Sequence, residues 1–503
     1  MRFLAASLLA LSAALAGCTV ESGDNLGLTG LAQVGEVDER FVSYNVEMVE
    51  VTGGRFWRPY GSEGSDPYEY RGPMDLSDEK LRQLAAALGP SYVRVSGTWA
   101  NATYFPESAD FEGDAPEGFD TVLTHAQWRG VIGFAAAADG EIVTSFATSK
   151  GARDEDGKWT SGQAQRLVDF TKAAGGRIAA AEFSNEPNML WLTQPPEGYG
   201  GEEYRADYTR FANWLRKNSP DTLLLAPGSA EIGEPFRSMS IADPSRPMIE
   251  SDELITTDTP TPDAFSFHFY AGASQRCGQI PGFDLTKALD PEWLSSIDAA
   301  IARVTELRDR TAPEAPLWDT ETGETACGGN PWAKTFADTF RFVDVLGRSA
   351  AQGVEVFMHN TLAASDYGLL DEGTHAPRPN YWAAVLWNRI MGTRVLEAPT
   401  SQSGELHLYA HCLRDDTGGV GLAAVNIGEA EVTINPGTGA QVWLLTAPEI
   451  DSQAMTVNGS APGLSESGEL TGLDAVDTDG DFSIPGQSIA FFAAPNASNA
   501  ACE

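Results

Sequence analysis

Eight short runs of apolar or β-branched residues recur along the chain, at Phe41 to Glu47, Tyr92 to Val95, Glu141 to Phe146, Ile178 to Phe183, Thr222 to Ala226, Ala264 to Tyr270, Pro316 to Thr322 and Gly353 to Thr361. Their shortness and β-branched content predict buried strands. Between them the apolar spacing changes to the helical period, bounded by start and stop residues. Leu76-Ser77-Asp78 opens one such stretch and Gly89-Pro90 closes it, while Thr160-Ser161 opens another that stops at Gly175-Gly176. Further helices are predicted over Tyr204 to Lys217, Pro291 to Arg310, Ala333 to Gln352 and Tyr381 to Met391. Eight strand-plus-helix units across residues 36–392 predict a (β/α)8 TIM barrel in the α/β class, a fold of roughly 250 residues or more. An open doubly wound sheet is the alternative.

Beyond Gly392 the helical period disappears. Alternating segments at Glu405 to Cys412, Val420 to Ile427, Val432 to Asn435, Val442 to Thr446, Met455 to Val457 and Ser488 to Ala493, separated by Gly, Asp and Asn turns, predict a β-sandwich domain over residues 393–503. Two look-alike motifs fall inside it. Gly419 to Ala424 has dinucleotide-type glycine spacing, but no helix follows, so it reads as a strand. Asp477-Thr478-Asp479-Gly480-Asp481 begins like a calcium loop, but its glycine comes early and no distal Glu follows, so it reads as a turn.

The first residues read as processing signal. Met1-Arg2 and the apolar run Phe3 to Leu15 are too short to span a bilayer, and Leu15-Ala16-Gly17-Cys18 reads as a lipobox. The expectation is a lipoprotein signal peptide over residues 1–17, acylation of Cys18, and export with lipid anchoring to the bacterial cell envelope, at the outer or cytoplasmic membrane. A Gly-, Ser- and acid-rich tether follows over 18–35. An ordinary secretory leader is the alternative.

Composition changes the picture in two respects. With 71 Asp+Glu against 33 Lys+Arg and a net charge of -38, the chain argues against a nucleic-acid partner, whose binding rests on Lys and Arg neutralising phosphates. At 42% hydrophobic and 21% charged residues it is nevertheless a folded protein, so the acid surplus reads as a solvated surface. Export also admits disulfides among Cys277, Cys327, Cys412 and Cys502, with three pairings open. Cys412 ends a strand and Cys502 is next to last, so bonding them pins the C-terminus. Cys277 and Cys327 each follow a predicted barrel strand, where adjacent loops meet. Free thiols remain the alternative. No CxxC or HExxH occurs and the six His residues are scattered, so neither a metal nor a cofactor is expected.

Barrel enzymes carry their chemistry at the C-terminal ends of the strands. In Ala181-Glu182-Phe183-Ser184-Asn185-Glu186-Pro187-Asn188, alternation places Glu182, Ser184 and Glu186 on one side of strand four, with Glu186 at its mouth. Leu317-Trp318-Asp319-Thr320-Glu321 offers a second carboxylate at the mouth of strand seven. One protonated and one ionised carboxyl group flanking a sugar are what glycoside hydrolysis requires. A rim salt bridge is the plain reading of either Glu alone; the pair points to catalysis.

Asn185-Glu186-Pro187 with a strand-seven Glu resembles the clan of retaining (β/α)8 glycosidases. The surrounding residues are similar to the heparanase and β-glucuronidase family, glycoside hydrolase family 79, from about Phe41 to the C-terminus. The resemblance is carried by Ala181 to Asn188, Trp318 to Thr322 with Gly328-Gly329, Tyr92-Val93-Arg94 with Gly97-Thr98, Phe267 to Tyr270, Asp366 to Leu369, Tyr381-Trp382 and Met391 to Leu396. In the sandwich it extends to His411-Cys412, Val457-Asn458-Gly459 and the terminal Ala-Cys. It implies Glu186 as general acid/base, Glu321 as nucleophile and Asn185 as donor to the sugar 2-hydroxyl. Glu324 is the rival nucleophile, because one extra residue precedes Gly328-Gly329. The resemblance further implies that the Gly328 and Gly329 amides and the Tyr367 hydroxyl hold a uronate carboxylate. Glu47, where the family has a shorter Asp, and Thr98 fall where sugar hydroxyls are contacted. His268 and Tyr270 match residues that line the nucleophile, and Cys412 and Cys502 match a bonded pair.

The function so implied is retaining hydrolysis of β-linked glucuronic acid in glucuronides or uronic-acid-containing oligosaccharides. Vertebrate heparanases grip sulfated chains with basic clusters, whereas the matching segment here, Glu231 to Ser238, is acidic and the densest basic spot nearby is Arg216-Lys217. That contrast favours an exo-β-glucuronidase over an endo-acting hydrolase of heparan sulfate. Ala100 to Gly140 is short and carries its own helix pattern, so single-chain activity is expected. A non-catalytic glycan-binding lipoprotein, or a glycosidase for neutral sugars, are the remaining alternatives.

Overall fold

The computed structural model describes residues 24–193, 195–232, 247–277 and 284–503. The leader, the lipobox Cys18 and residues 18–23 lie outside them, as do residues 233–238 of the acidic segment. Among the described residues no helix is long and apolar enough to cross a membrane.

The eight expected strands are present as β1 (Val42–Glu47), β2 (Ser91–Ser96), β3 (Gly140–Ser145), β4 (Ile178–Glu182), β5 (Leu223–Ile232), β6 (Ala264–Tyr270), β7 (Leu317–Thr322) and β8 (Val354–His359). Each pairs in parallel with its sequence neighbours and β8 returns to β1, closing a barrel. Closure rules out the open doubly wound sheet. The helices behind the strands are α1 (Glu79–Ala87), α2 (His125–Ala137), α3 (Gly162–Ala173), α4 (Gly201–Asn218), the short α5 (Ser251–Leu254), α6 (Ser296–Thr311), α7 (Phe336–Ala351) and α8 (Pro379–Ile390). Their starts follow capping chemistry: the Asp78 carboxylate accepts from the Leu81 N–H, and Thr124 and Gln127 form a reciprocal capping box. Gly89 and Gly175, at φ +83° and +81°, take the left-handed turn that ends α1 and α3.

The barrel interior is layered. Its lower part is apolar, with Tyr92 against Trp318 at 4.8 Å between ring centroids and Val143, Leu225, Val356 and Met358 around them. Ala179 and Ala180 on β4 give these large side chains room. Above this floor the interior turns polar, and the buried groups there are Arg94, Glu182, His268 and Glu321.

After α8 the chain enters β-structure at once, in Met391–Leu396, so the expected boundary at 393 falls inside a strand. In spatial order one sheet holds Gln33–Glu36, Met391–Leu396, Leu406–Leu413, Val420–Asn426, Ser488–Ala494, Thr438–Thr446 and Thr456–Val457, with Val476–Asp479 joining at Thr438–Thr446. A smaller sheet of Asp24–Asn25, Val432–Asn435 and Phe482–Ile484 faces it across a core that includes Leu396, Leu422, Ile434, Ile484 and Phe492. The look-alike Gly419 to Ala424 motif enters the strand Val420–Asn426, and Gly480 turns between two strands. Asp344 on α7 accepts from Tyr409 Oη and His407 Nδ1 of this sheet, both at 2.6 Å. Gly347 lies directly beneath the Tyr409 ring, where a Cβ would come within 2.1 Å.

Several expectations are corrected. Residues 24–35 are not a free tether: Asp24–Asn25 pairs with Ile434–Asn435, and Gln33–Glu36 pairs with Arg394–Leu396. The alternation of Gln33-Val34-Gly35-Glu36 is short and mostly exposed, which hides it beside stronger strand signals. The single helix over Pro291 to Arg310 is two, Pro291–Leu294 and Ser296–Thr311, separated at Ser295, whose backbone N–H closes the first on the Pro291 and Trp293 carbonyls. Strand five runs past Pro227 to Ile232, shifting register at Gly228, which has φ +65°. Disulfides join Cys277 to Cys327 and Cys412 to Cys502.

Candidate active site

Strand four ends at Glu182, not beyond it, so simple alternation does not describe the residues that follow. Glu186 has φ +46°, a left-handed conformation that costs a non-glycine residue roughly 1–2 kcal/mol. Two asparagines hold the chain there. Asn101 accepts from the Asn185 N–H and donates to the Asn185 carbonyl, both at 3.0 Å. Asn188 does the same across to Ala230 on β5, at 2.9 Å each way. The turn thus aims Glu186 over the barrel mouth, while Glu182 points down into the interior and Ser184 donates to Asn101 Oδ1.

On β7 the pairing with β6 skips Thr320, so Phe267 faces Asp319 and His268 faces Glu321. This bulge turns two consecutive side chains inward. Thr320 Oγ1 donates to Glu182 Oε1 at 2.8 Å, and Glu321 reaches the mouth. The Glu321 carboxylate accepts from Arg94 Nη1 at 2.9 Å and from Tyr270 Oη at 3.0 Å. One oxygen of Glu186 and one of Glu321 lie within 4.8 Å of each other and of a His268 ring nitrogen.

Arg94 ties the floor of the site together. Its guanidinium donates to Glu182 Oε2 through Nε and Nη2, to Glu321 Oε2, to Asn185 Oδ1 at 2.8 Å and to His268 Nε2 at 3.1 Å. Burial opposes the Glu182 charge, but Arg94 together with the other neighbouring groups outweighs it and holds that carboxyl below the usual carboxylate range. A guanidinium only donates, so His268 Nε2 must accept, and the ring proton sits on Nδ1, 3.2 Å from Glu186 Oε1. Burial holds the imidazole neutral, with its pKa down to about 4. The same burial, aided by Glu182 and opposed by Arg94, pushes the Glu186 carboxyl up to about 7. Two carboxyl groups in one cleft therefore sit in unlike environments, one in an apolar setting beside a neutral imidazole and one between two donors.

Around them opens a cleft of about 390 Å3 lined by Glu47, Trp57, Tyr68, Thr98, Trp99, Trp191, Tyr270, Asn360 and Tyr367, among others. Asn360, at the end of β8, donates to Glu47 Oε1, Tyr270 Oη and Tyr367 Oη at 2.9–3.1 Å. Burial and the nearby Glu321 raise the Glu47 carboxyl well above the ordinary range. Gly97 makes room for it, since a Cβ there would lie 1.5 Å from Glu47 Oε2. Trp57 and Tyr68 stack at 4.5 Å on a hairpin of Gly54–Trp57 with Tyr68–Arg71, part of the segment after β1.

Of the residues expected at the site, Glu186, Glu321, Glu47, Thr98, Tyr270 and Tyr367 line the cleft, with the bonded Cys277 and Cys327 at its edge. Asn185 and His268 stand behind them, bonded to Arg94 and, for His268, to Glu186. The Gly329 N–H is committed to the Thr325 carbonyl at 3.2 Å. Gly328 lies between Trp57 and Arg276, with Arg276 Nη1 2.9 Å from where its Cβ would be. The Arg276 and Lys334 cations share Asp366, leaving a net positive charge behind the loop. Glu324 faces away from the cleft: it accepts from Asn330 N, Asn330 Nδ2 and Thr325 Oγ1 and fastens the loop. Sequence reasoning did not assign roles to Arg94, Asn101, Asn360 or the Trp57–Tyr68 pair; the Tyr-Val-Arg run on a barrel strand was the available signal for the first.

Glu186, His268 and Glu321 are the one cluster of three metal-type donors among the described residues. Arg94, bonded to both His268 and Glu321, opposes a cation there.

No protein-family model matches the chain. It is 26% identical over 444 residues to heparanase-like protein 1 of Arabidopsis thaliana, covering 83% of this chain and 76% of that one. It is 24% identical over 480 residues to a hyaluronoglucuronidase of Hirudo nipponia, covering 86% and 92%, and 23% identical to a baicalin-beta-D-glucuronidase of Scutellaria baicalensis, covering 81% and 80%. Among solved structures, a 4-O-alpha-L-rhamnosyl-beta-D-glucuronidase from Fusarium oxysporum aligns with a TM-score of 0.62 at 14% identity, over 94% of this chain and 99% of that one, a likeness of fold.

Proposed function

We propose that this chain is a retaining glycoside hydrolase of the heparanase and β-glucuronidase type that releases β-linked glucuronic acid from chain ends or small glucuronides. The carrying observation is the pair Glu186 and Glu321, with oxygens within 4.8 Å across one cleft. That proximity suits the roughly 5–5.5 Å between the carboxyl groups of retaining enzymes. Heparanase-like, hyaluronoglucuronidase and glucuronidase relatives support the choice of sugar.

In this reading Glu321 attacks the anomeric carbon as Glu186 gives its proton to the leaving oxygen. Water then hydrolyses the glycosyl-enzyme, with Glu186 returning as base. His268 donates to one Glu186 oxygen, which leaves the acid proton on the other. The uronate carboxylate meets the Gly328 amide and the Tyr367 hydroxyl, with the Arg276 charge behind them. Hydrolysis of p-nitrophenyl β-glucuronide beside the β-glucoside, followed by NMR of the first-formed sugar, tests this. β-Glucuronic acid as the initial product is expected; an α-product or cleavage of the glucoside alone overturns it.

Two further results are expected. Glycosylation needs Glu186 protonated, and its pKa is pushed up to about 7, so kcat/KM should fall on the alkaline side with half-loss near pH 7. A profile flat to pH 9 would remove Glu186 as the acid. Tyr367→Phe removes one donor to a charged group, worth about 1.5–3 kcal/mol, and should cut kcat/KM for the glucuronide at least tenfold while sparing any glucoside activity. Equal loss on both sugars would show that the hydroxyl does not read the carboxylate. Export and acylation at Cys18 are proposed on sequence grounds, and the mass of the mature N-terminal peptide checks them.

A further inference from the structure

Asn360 follows β8 and is 1% exposed, with its backbone N–H on the Thr322 carbonyl of β7 at 2.7 Å. Its side-chain nitrogen meets three oxygens: Glu47 Oε1 at the end of β1, Tyr270 Oη at the end of β6 and Tyr367 Oη in the loop after β8. An amide nitrogen carries two hydrogens, so it cannot serve all three at once. The Tyr270 hydroxyl spends its proton on Glu321 Oε1 at 3.0 Å and can only accept from Asn360, which fixes the way the amide faces and commits one hydrogen. The other is contested between Glu47 and Tyr367. Among the described residues the Tyr367 hydroxyl has Asn360 as its hydrogen-bond partner and no acceptor for its own proton. Asn360 Oδ1 and Glu47 Oε2 are buried without partners, a cost to stability that points to a working role for this amide rather than a structural one.

From this shared amide we infer that Asn360 is a positioning residue that couples the reading of the sugar carboxylate at Tyr367 to the setting of the nucleophile Glu321 through Tyr270. The inference rests on the glucuronidase reading and deepens it. A carboxylate that takes the Tyr367 proton makes that oxygen a stronger acceptor, and so draws the second Asn360 hydrogen away from Glu47. The amide is then held by both tyrosines, which steadies the Tyr270 hydroxyl on Glu321. Glu47 Oε1 is released at the same moment to accept from a sugar hydroxyl. The carboxylate of the sugar thereby contributes to kcat as well as to binding, because part of its interaction is spent on the attacking group.

The test is a pair of mutant cycles on p-nitrophenyl β-glucuronide: Tyr270→Phe, Tyr367→Phe and the double variant, each in the native and in the Asn360→Ala background. In the native background the double variant should lose less kcat than the product of the single losses, by on the order of threefold or more. With Asn360→Ala the losses should multiply. The split between constants carries the same sign. Tyr367→Phe should lower kcat and raise KM in the native chain, but raise KM alone once Asn360 is replaced. Asn360→Val repeats the second cycle should the alanine variant fold poorly, and the native cycle needs no change at Asn360. Losses that multiply in the native chain, or a coupling that persists without Asn360, overturn the inference while the glucuronidase reading stands. No hydrolysis of the glucuronide by the unchanged chain overturns both.

Discussion

Glu321→Gln should lose on the order of 10^4-fold or more in kcat on any glucuronide, because an amide neither attacks the anomeric carbon nor leaves from it. Arg94 and Tyr270 hold the carboxylate at the cleft floor, and both also hydrogen-bond elsewhere, so the Gln variant should remain folded. Glu186→Gln separates the roles. Its loss should be about 10^2–10^4-fold for an alkyl glucuronide, whose oxygen needs the proton, and much smaller in the first step for p-nitrophenyl glucuronide, whose oxygen does not. Glu324→Gln should keep near-normal turnover, since its carboxylate fastens Asn330 outside the cleft. Steady-state kinetics on the three variants decides the matter. An inactive Glu324→Gln beside an active Glu321→Gln would exchange the two assignments.

Arg94→Met should cost about 3–5 kcal/mol of stability and nearly all activity, because it leaves buried charge without a partner. Glu182 is 0% exposed and loses two of its donors, and Asn185, His268 and Glu321 lose one each. The pH dependence has a definite sign. In the native chain Glu182 has a depressed pKa, so its stabilisation is present above the unfolded carboxylate value and is lost as pH falls through the folded value. Without Arg94 the same burial favours the protonated form, so the variant's deficit is largest near neutrality and shrinks on acidification. Thermal unfolding at pH 7 and pH 5 reads this directly. A deficit independent of pH would mean that the lost packing, and not the unpaired charge, carries the effect.

The barrel was legible because each strand is short, apolar and bounded by turn residues, and the ends of β6 and β7 fell within a residue of expectation. The meeting of Glu186 and Glu321 in one cleft was legible for the same reason, as carboxylates at strand mouths. What escaped depends on geometry that a linear pattern does not carry. Alternation predicts Glu186 in line with Glu182, yet a left-handed residue and two asparagine clamps produce its direction. Thr320 and Glu321 both face inward only because of a bulge. Trp57 and Tyr68 lie eleven positions apart in a segment with no sustained period, and only hairpin pairing brings their rings together. Residues 24–35 looked like linker because their partners lie at the opposite end of the chain.

That last pairing has a consequence for how the chain is made. Strands at residues 24–25 and 33–36 leave the ribosome first, but their partners at Ile434 and at Arg394 to Leu396 are synthesised only after the whole barrel. The closing residues stitch back to the same place, with Asn499 Nδ2 donating to the Leu28 and Leu31 carbonyls and Thr29 Oγ1 to the Ala497 carbonyl. The opening strands therefore wait as an unpaired sheet edge through most of translation, which is the slow, long-range kind of contact that favours misassembly. A chain released before the end of synthesis would have its barrel strands complete and its first strands still searching for a sheet.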